Sequence, residues 1–389
     1  MSMSTVPQLS IVRRDKWLLS SLTWIPILLA LLIWAIFSAG IARDLPVGIV
    51  DLSNSALSQK LVRYYDATSA IKVNHSYQNV AQAKTALIRR EIYAYAIIPS
   101  DFEQNIYKQL APQVSVFYNS QMILVGKLLN SAFLQAQGTF NAQLSVGSQL
   151  LHGDTALLSA MGQAVPIRSQ ITPLFNKNSN YAQFLVSAIV PALWQIIVVV
   201  TTILILAANH RDRGLQGWFE HSPFKTLINT LLPYSFVFAL QGFVYLCWFY
   251  LGFEWPMNGS MLALVIAQWF TLLSCMAMGC LFFFLTLDPA RAMSFAGAFT
   301  APSFAFMGIT FPVSDMNSFA QFWRSLLPIS HYIEIQVSQV SYGQNWLESM
   351  VHLVPMFGYA IPFLLSLILI RKHVTAEIQH SAPISKEPL

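Results

Sequence analysis

The sequence predicts a polytopic α-helical membrane protein with six transmembrane helices and a soluble extracytoplasmic α/β domain between helices 1 and 2. Three observations carry that expectation. Hydrophobic residues make up 55 % of the 389 positions and charged residues only 10 %, where a soluble domain carries about 25 % charge. The charge is also uneven: residues 43–177 hold an ordinary mixture of Lys, Arg, Asp and Glu, while long windows on either side hold none. Those windows are long enough to cross a hydrocarbon core of about 30 Å, which takes about 20 helical residues.

The uncharged windows are 17–42, 178–209, 226–253, 256–287, 292–314 and 349–370. The first is too long for the apolar core of a cleaved signal peptide and reads as an uncleaved signal anchor. Arg13, Arg14 and Lys16 precede it, so the positive-inside rule leaves residues 1–16 in the cytoplasm. Six crossings return the C-terminus to the same side. The flanks agree, because His210, Arg211, Arg213, Lys225, Arg291, Arg371 and Lys372 all fall on links expected inside. The links expected outside, around 254–258 and 315–348, hold one basic residue, Arg324. The expected site is the cell inner membrane, with 371–389 a cytoplasmic tail that reads as disordered beyond His373.

The polar stretch 43–177 is long enough for a domain of its own. LPVGIVD (45–51), IKVNH (71–75), IYAYAIIP (92–99) and QVSVFYNS (113–120) read as strands. Helical spacing appears between them in 53–67, 79–91 and 100–110, the last opening on a Ser cap with Glu103 placed for a capping box. Strands alternating with helices favour a small α/β layer domain. Residues 121–165 read as one or two long helices forming a stalk, and 166–180 as an irregular return.

Several chemistries are absent. The sequence contains no G-x-x-x-x-G-K-[ST], G-x-S-x-G or H-E-x-x-H, so neither a phosphate-cradling loop nor a hydrolase or zinc site is indicated. The net charge of +5 comes from basic residues at the ends of apolar runs, not from a stripe interleaved with aromatics, which argues against nucleic acid. Cys247, Cys275 and Cys280 lie inside apolar runs and read as inert buried thiols.

Two segments stand out. LAANHRDRGLQGWFEHSPF (206–224) is a short charged link containing Trp218 and Phe219, which a mere connector does not require. It suits an interfacial helix with an aromatic anchor, or a docking element with an aromatic knob and a basic rim. In MGITFPVSDMNSFAQFWRSLLPISHYIEIQ (307–336), Gly308, Pro312 and Pro328 interrupt apolar sequence. Broken backbone at membrane depth needs protein or a watery cavity over it, which suggests short half-inserted helices; an ordinary outer loop with proline turns is the alternative.

These residues carry a resemblance over the whole chain. The layout and both segments resemble the membrane subunit of a bacterial type-2 ATP-binding-cassette exporter with a large periplasmic insertion. Asp212, Arg213, Gly214, Ser222 and Pro223 are similar to that family's E-R-E-x-G-T-x-E element and following Ser-Pro. Leu215 and Gln216 depart from it. Gly308, Phe311, Pro312, Met316, Pro328 and Tyr332 are similar to its G-x-x-F-P…M-P…P-x-x-Y signature, with Asn317 where a second proline is usual.

The resemblance implies that 210–225 is a cytoplasmic coupling helix, with Arg211, Asp212, Arg213, Gly214, Trp218, Phe219, Ser222 and Pro223 meeting an ATPase. It implies that Gly308, Phe311, Pro312, Met316, Pro328 and Tyr332 form an outer gate. No cofactor is expected on this chain, with ATP and magnesium bound at the partner ATPase. Implied partners are an ABC ATPase dimer, a second permease subunit (the same chain or a close paralogue), membrane lipids and a periplasmic adaptor. The cargo would be hydrophobic or amphipathic. A non-transporting receptor or scaffold, and an ion-coupled carrier, are the alternatives; the lack of an acidic residue near the middle of any span weighs against the carrier. Gln195, Gln241 and Gln268 read as helix-to-helix glue before path lining. Asp288 and Arg291 read as a local ion pair, and His331 with Glu334 as an outer polar site.

Overall fold

The computed structural model describes residues 8–108, 110–121, 123–151, 176, 180–220 and 222–381. The far part of the expected stalk, most of the expected irregular return at 166–180, His221 and the last eight residues lie outside them. The chain divides into two compact units, residues 41–172 and residues 1–40 with 173–389.

The first unit is an α/β sandwich on a four-stranded sheet. In chain order it runs β1 (Leu45–Asp51), α1 (Ala56–Asp66), β2 (Ile71–Ser76), α2 (Val80–Ile88), β3 (Ala94–Ile98), α3 (Phe102–Tyr107), β4 (Ser115–Tyr118) and α4 (Ile123–Leu151). The strand order is β2-β1-β3-β4, with β1 parallel to β2 and β3 and β4 antiparallel. Alternate residues of β1 feed opposite faces. Val47 and Ile49 meet Leu61, Tyr65, Phe102, Phe133 and Phe140; Val50 meets Ala83, Ala86, Ile92 and Tyr95. Gly48 must lack a side chain, since a Cβ there would lie 2.6 Å from the Tyr77 ring. Ser55 and Ser58 close a capping box at the start of α1. At α3 the cap differs from expectation. Asp101, not Ser100, is the N-cap, and its carboxylate bonds the Asn105 side chain at 2.6 Å instead of the helix backbone.

The second unit is helical: α5 (Gln8–Arg14), α6 (Lys16–Leu22), α7 (Trp24–Phe37), α8 (Tyr181–Trp218), α9 (Pro223–Cys247), α10 (Met261–Thr286), α11 (Pro289–Thr300), α12 (Ser303–Phe306), α13 (Ser318–Ser325), α14 (Pro328–Val337), α15 (Trp346–Met350) and α16 (Ala360–Ser381). Among the described residues, four helical runs are long and apolar enough to cross a membrane: Tyr181–Trp218, Pro223–Gly252, Met261–Thr286 and Trp346–Gln379. The α6–α7 pair makes a fifth if its 48° bend is taken within one span.

No single helix fills 292–314. Helix α11 ends at Thr300, α12 restarts after Pro302, and Gly308 then turns the chain at φ +87°. Two other expectations also change. Helix α16 continues to Ser381, well past His373, where disorder was expected; the His373 ring Nε2 meets the Phe284 carbonyl at 3.0 Å and ties that stretch to the end of α10. Asp288 caps α11 by accepting from the Arg291 backbone N–H at 2.8 Å, so the link runs to backbone and not to the guanidinium.

Prolines explain where two of the polar side chains sit in this unit. A proline offers no N–H to the carbonyl four residues earlier. Pro26 thus orphans the Leu22 carbonyl at the α6–α7 bend, and Gln241 of α9 donates to it at 2.8 Å. Pro191 within α8 orphans Ser187, and Gln336 of α14 donates there at 2.9 Å. Gln195 accepts from the Ile329 N–H in the first turn of α14 at 2.9 Å and donates to Ser303 at 3.3 Å. Gln268 donates to the Gly242 carbonyl at 2.9 Å. All three glutamines weighed in the sequence join helices.

Candidate functional site

The two segments occupy opposite ends of the helical unit. Segment 206–224 begins as the last turns of α8. Gly214, at φ +65° and ψ +168°, breaks the helix there, and the chain re-enters helix to Trp218. Only glycine takes that conformation without strain. Ser222 and Pro223 then start α9, with Pro223 at the first turn, where its missing N–H costs nothing.

The N-terminal helices pack on this break. Arg211 pairs with Asp15 at 2.8 Å and Arg14 with Asp212 at 3.6 Å. Gln8 donates to Asn209 at 3.1 Å and accepts from the Tyr234 hydroxyl at 3.0 Å. Burial opposes ionisation of Asp15, but the Leu18 backbone N–H and the Arg211 guanidinium outweigh it, and the carboxyl stays below its ordinary value.

The expected aromatic knob is not on the surface. Trp218 and Phe219 are only 4 % and 3 % exposed. Their rings pack on each other and on the buried Phe284 of α10, and Trp218 Nε1 donates to Thr230 at 3.2 Å. Large aromatic surface gains most from being covered, and α10 ends close enough to cover it. Among the described residues of 210–225, the exposed ones are Arg211, Asp212, Gly217, Glu220, Phe224 and Lys225. The element packs on α9 and α10 and is tied by ion pairs to the N-terminal helices.

Segment 308–332 is built from short pieces. Gly308 carries positive φ, and a Cβ there would lie 2.8 Å from Val313. Phe311 and Pro312 are exposed, Met316 is buried, and Asn317 caps α13 through the Ala320 N–H at 2.8 Å. Pro328 opens α14, and Tyr332 is buried within it. Helix α13 is inverted relative to a water-facing surface helix. Phe319 and Phe322 are 66 % and 59 % exposed, while Arg324 is 8 % exposed and pairs with Glu334 at 2.6 Å. An outward aromatic face with an inward charge suits a hydrocarbon or interfacial surround.

His331 and Glu334, one turn apart on α14, do share a polar cluster. The members that sequence reading missed are Arg324 and His352. Glu334 accepts from both, His352 Nδ1 lying at 2.9 Å. His331 Nε2 reaches the Ser325 carbonyl at 3.1 Å. Burial lowers the His331 pKa, and Arg324 and His352 add to that against the opposing pull of the Ser325 carbonyl and Glu334. Arg324 was visible as the lone basic residue of its link; nothing local ties His352 to it.

The model of the ABC-2 family transporter proteins matches residues 16–369. The chain belongs to the ABC-2 family of transporter proteins. Its membership makes it a multi-pass, non-catalytic membrane component of an ABC transporter and implies an ABC ATPase as partner. No curated protein matches the sequence.

Proposed function

We propose that this ABC-2 chain is the permease subunit of an ATP-driven exporter that moves a hydrophobic or amphipathic substrate out of the cell. In this reading the membrane is crossed six times, with α11 and α12 together making a broken fifth crossing. Both termini and 210–225 are cytoplasmic, and the α/β unit lies in the periplasm of a bacterial inner membrane. Two permease subunits, identical or closely related, face two ATPases that bind ATP and magnesium. A periplasmic adaptor is a further partner of the α/β unit.

The observation that supports this best is the rigid construction of 210–225. A glycine break, two ion pairs to the N-terminal helices and the Trp218–Phe219–Phe284 stack make it a lever on α8, α9 and α10. Closure of the ATPases pushes such a lever and rocks the helices toward the gate at 308–332. Because the aromatic pair faces inward, the docking face is assigned to Gly217, Glu220, Phe224 and Lys225.

Co-purification with a co-expressed ABC ATPase tests this. Wild-type protein should retain the ATPase in detergent, and the Gly217→Asp, Phe224→Asp double variant should lose it while eluting as a folded protein. Undiminished co-purification of that variant would remove 210–225 as the docking element.

A further inference from the structure

The α/β unit contains a cavity of about 540 Å³ where α1, α3, α4 and the link to β4 meet. Protein interiors pack with few voids larger than a water molecule, whereas pockets for small molecules measure about 300–1,000 Å³. The cavity has the size of a ligand site. Its origin is the length of α3, six residues against the 29 of α4. Where α3 stops, the irregular link 110–114 carries the chain over the gap. The Leu110 N–H bonds the Asn105 carbonyl at 2.8 Å and closes the end of α3.

The floor is apolar. Leu61, Phe102 and Phe140 are no more than 3 % exposed, and the Phe102 and Phe140 rings stack at 6.3 Å. Leu144, one turn beyond Phe140, extends this surface. A second line of α4 runs beside it, with Gln137, Asn141 and Ser145 spaced four apart and all lining the cavity. Gln137 is oriented by donating to the buried Tyr65 hydroxyl at 2.8 Å. Gln113 and Asn141 stand exposed at the rim, and each side-chain amide offers donors and an acceptor. Among the described residues lining the cavity, none is Lys, Arg, Asp, Glu or His. An ion placed there loses water and gains no counter-charge.

We infer that the α/β unit holds a binding site for an uncharged amphipathic molecule. Its apolar body lies over Leu61, Phe102 and Phe140, and its hydroxyl or amide head exchanges hydrogen bonds with Gln113, Gln137 and Asn141. Rejection of charged molecules follows from the lining, and recognition of a neutral polar head follows from the amides. The site goes beyond the permease reading. It belongs to the α/β unit alone and is tested without ATPase or transport, so the two stand or fall separately.

The experiment is photolabelling of the full chain in nanodiscs with a diazirine-bearing long-chain alcohol, followed by mapping of the labelled peptides by mass spectrometry. The carboxylate of the same chain is the comparison probe, used at roughly pH 8, where it is ionised. The alcohol is expected on 102–114 and 137–145, and an excess of unreactive alcohol should remove it from those stretches. The carboxylate should label them at least about tenfold less, because an unpaired ion is costly to bury. Leu144→Trp fills the cavity and should reduce labelling by the alcohol about tenfold, one decade in affinity. Asn141→Trp, at an exposed position, obstructs the mouth and replaces Leu144→Trp where that variant fails to fold. Alcohol label confined to the helical unit, equal labelling by the carboxylate, or labelling that the folded tryptophan variant does not reduce overturns the inference.

Discussion

Pro191 removes the donor that would have met the Ser187 carbonyl, and Gln336 supplies a replacement from another helix at 2.9 Å. Single residues of this kind decide how the helices lock together, because an apolar solvent offers no other partner for a freed carbonyl. Gln336→Ala should therefore lower the stability of the helical unit by about 1–3 kcal/mol, the cost of leaving such a group unmade. Pro191→Ala restores a backbone N–H at that position, so the double variant should recover most of the loss. A thermal-shift series over the two single variants and the double variant in detergent checks this cycle. Equal losses in Gln336→Ala with and without Pro191→Ala would mean that the bond to Ser187 is incidental.

Asp15 connects an element to its neighbour in two ways. Its carboxylate caps α6, accepting from the Trp17 and Leu18 N–H groups at 3.1 Å each, and it pairs with Arg211 of α8. Asp15→Asn keeps the cap and removes the charge; Asp15→Ala removes both. The alanine variant should cost about 0.5–2 kcal/mol, as lost N-caps do, while the asparagine variant should cost less than about 1 kcal/mol, the scale of an exposed pair. Because the folded carboxyl is depressed below its unfolded value, its contribution is present above the unfolded value. It is lost as pH falls through the folded one. Stability profiles of wild type and Asp15→Asn should accordingly converge on the acid side. Profiles that stay parallel from neutral to acid pH would rule out that linkage.

At the scale of the whole molecule, the proposed topology puts Gly217 on the cytoplasmic side and the α/β unit on the other. Gly217 has open space around a would-be Cβ, and Ile88 of α2 is 71 % exposed. In intact cells a membrane-impermeant thiol reagent should label Ile88→Cys readily and Gly217→Cys only after permeabilisation. The opposite pattern would invert the topology.

Much of this architecture was legible in the chain itself. The apolar windows marked the long helices because bilayer thickness demands about 20 residues, and the run LPVGIVD marked β1. Segment 206–224 announced itself through its charge and the Trp218–Phe219 pair, and 307–336 through residues with backbone consequences, Gly308, Pro312 and Pro328. These signals are local, carried by residues close in sequence. What the tertiary structure alone decided was partnership. Trp218 and Phe219 read as a knob until Phe284, far along the chain, was seen to cover them. The window 292–314 is as free of charge as its neighbours, yet Pro302 and Gly308 divide it once the chain is folded. Glu334 became a hub only when Arg324 and His352 met it. Hydropathy and backbone preference act over a few residues and can be read along a line, whereas burial and ion pairing depend on distances that exist only after the helices pack.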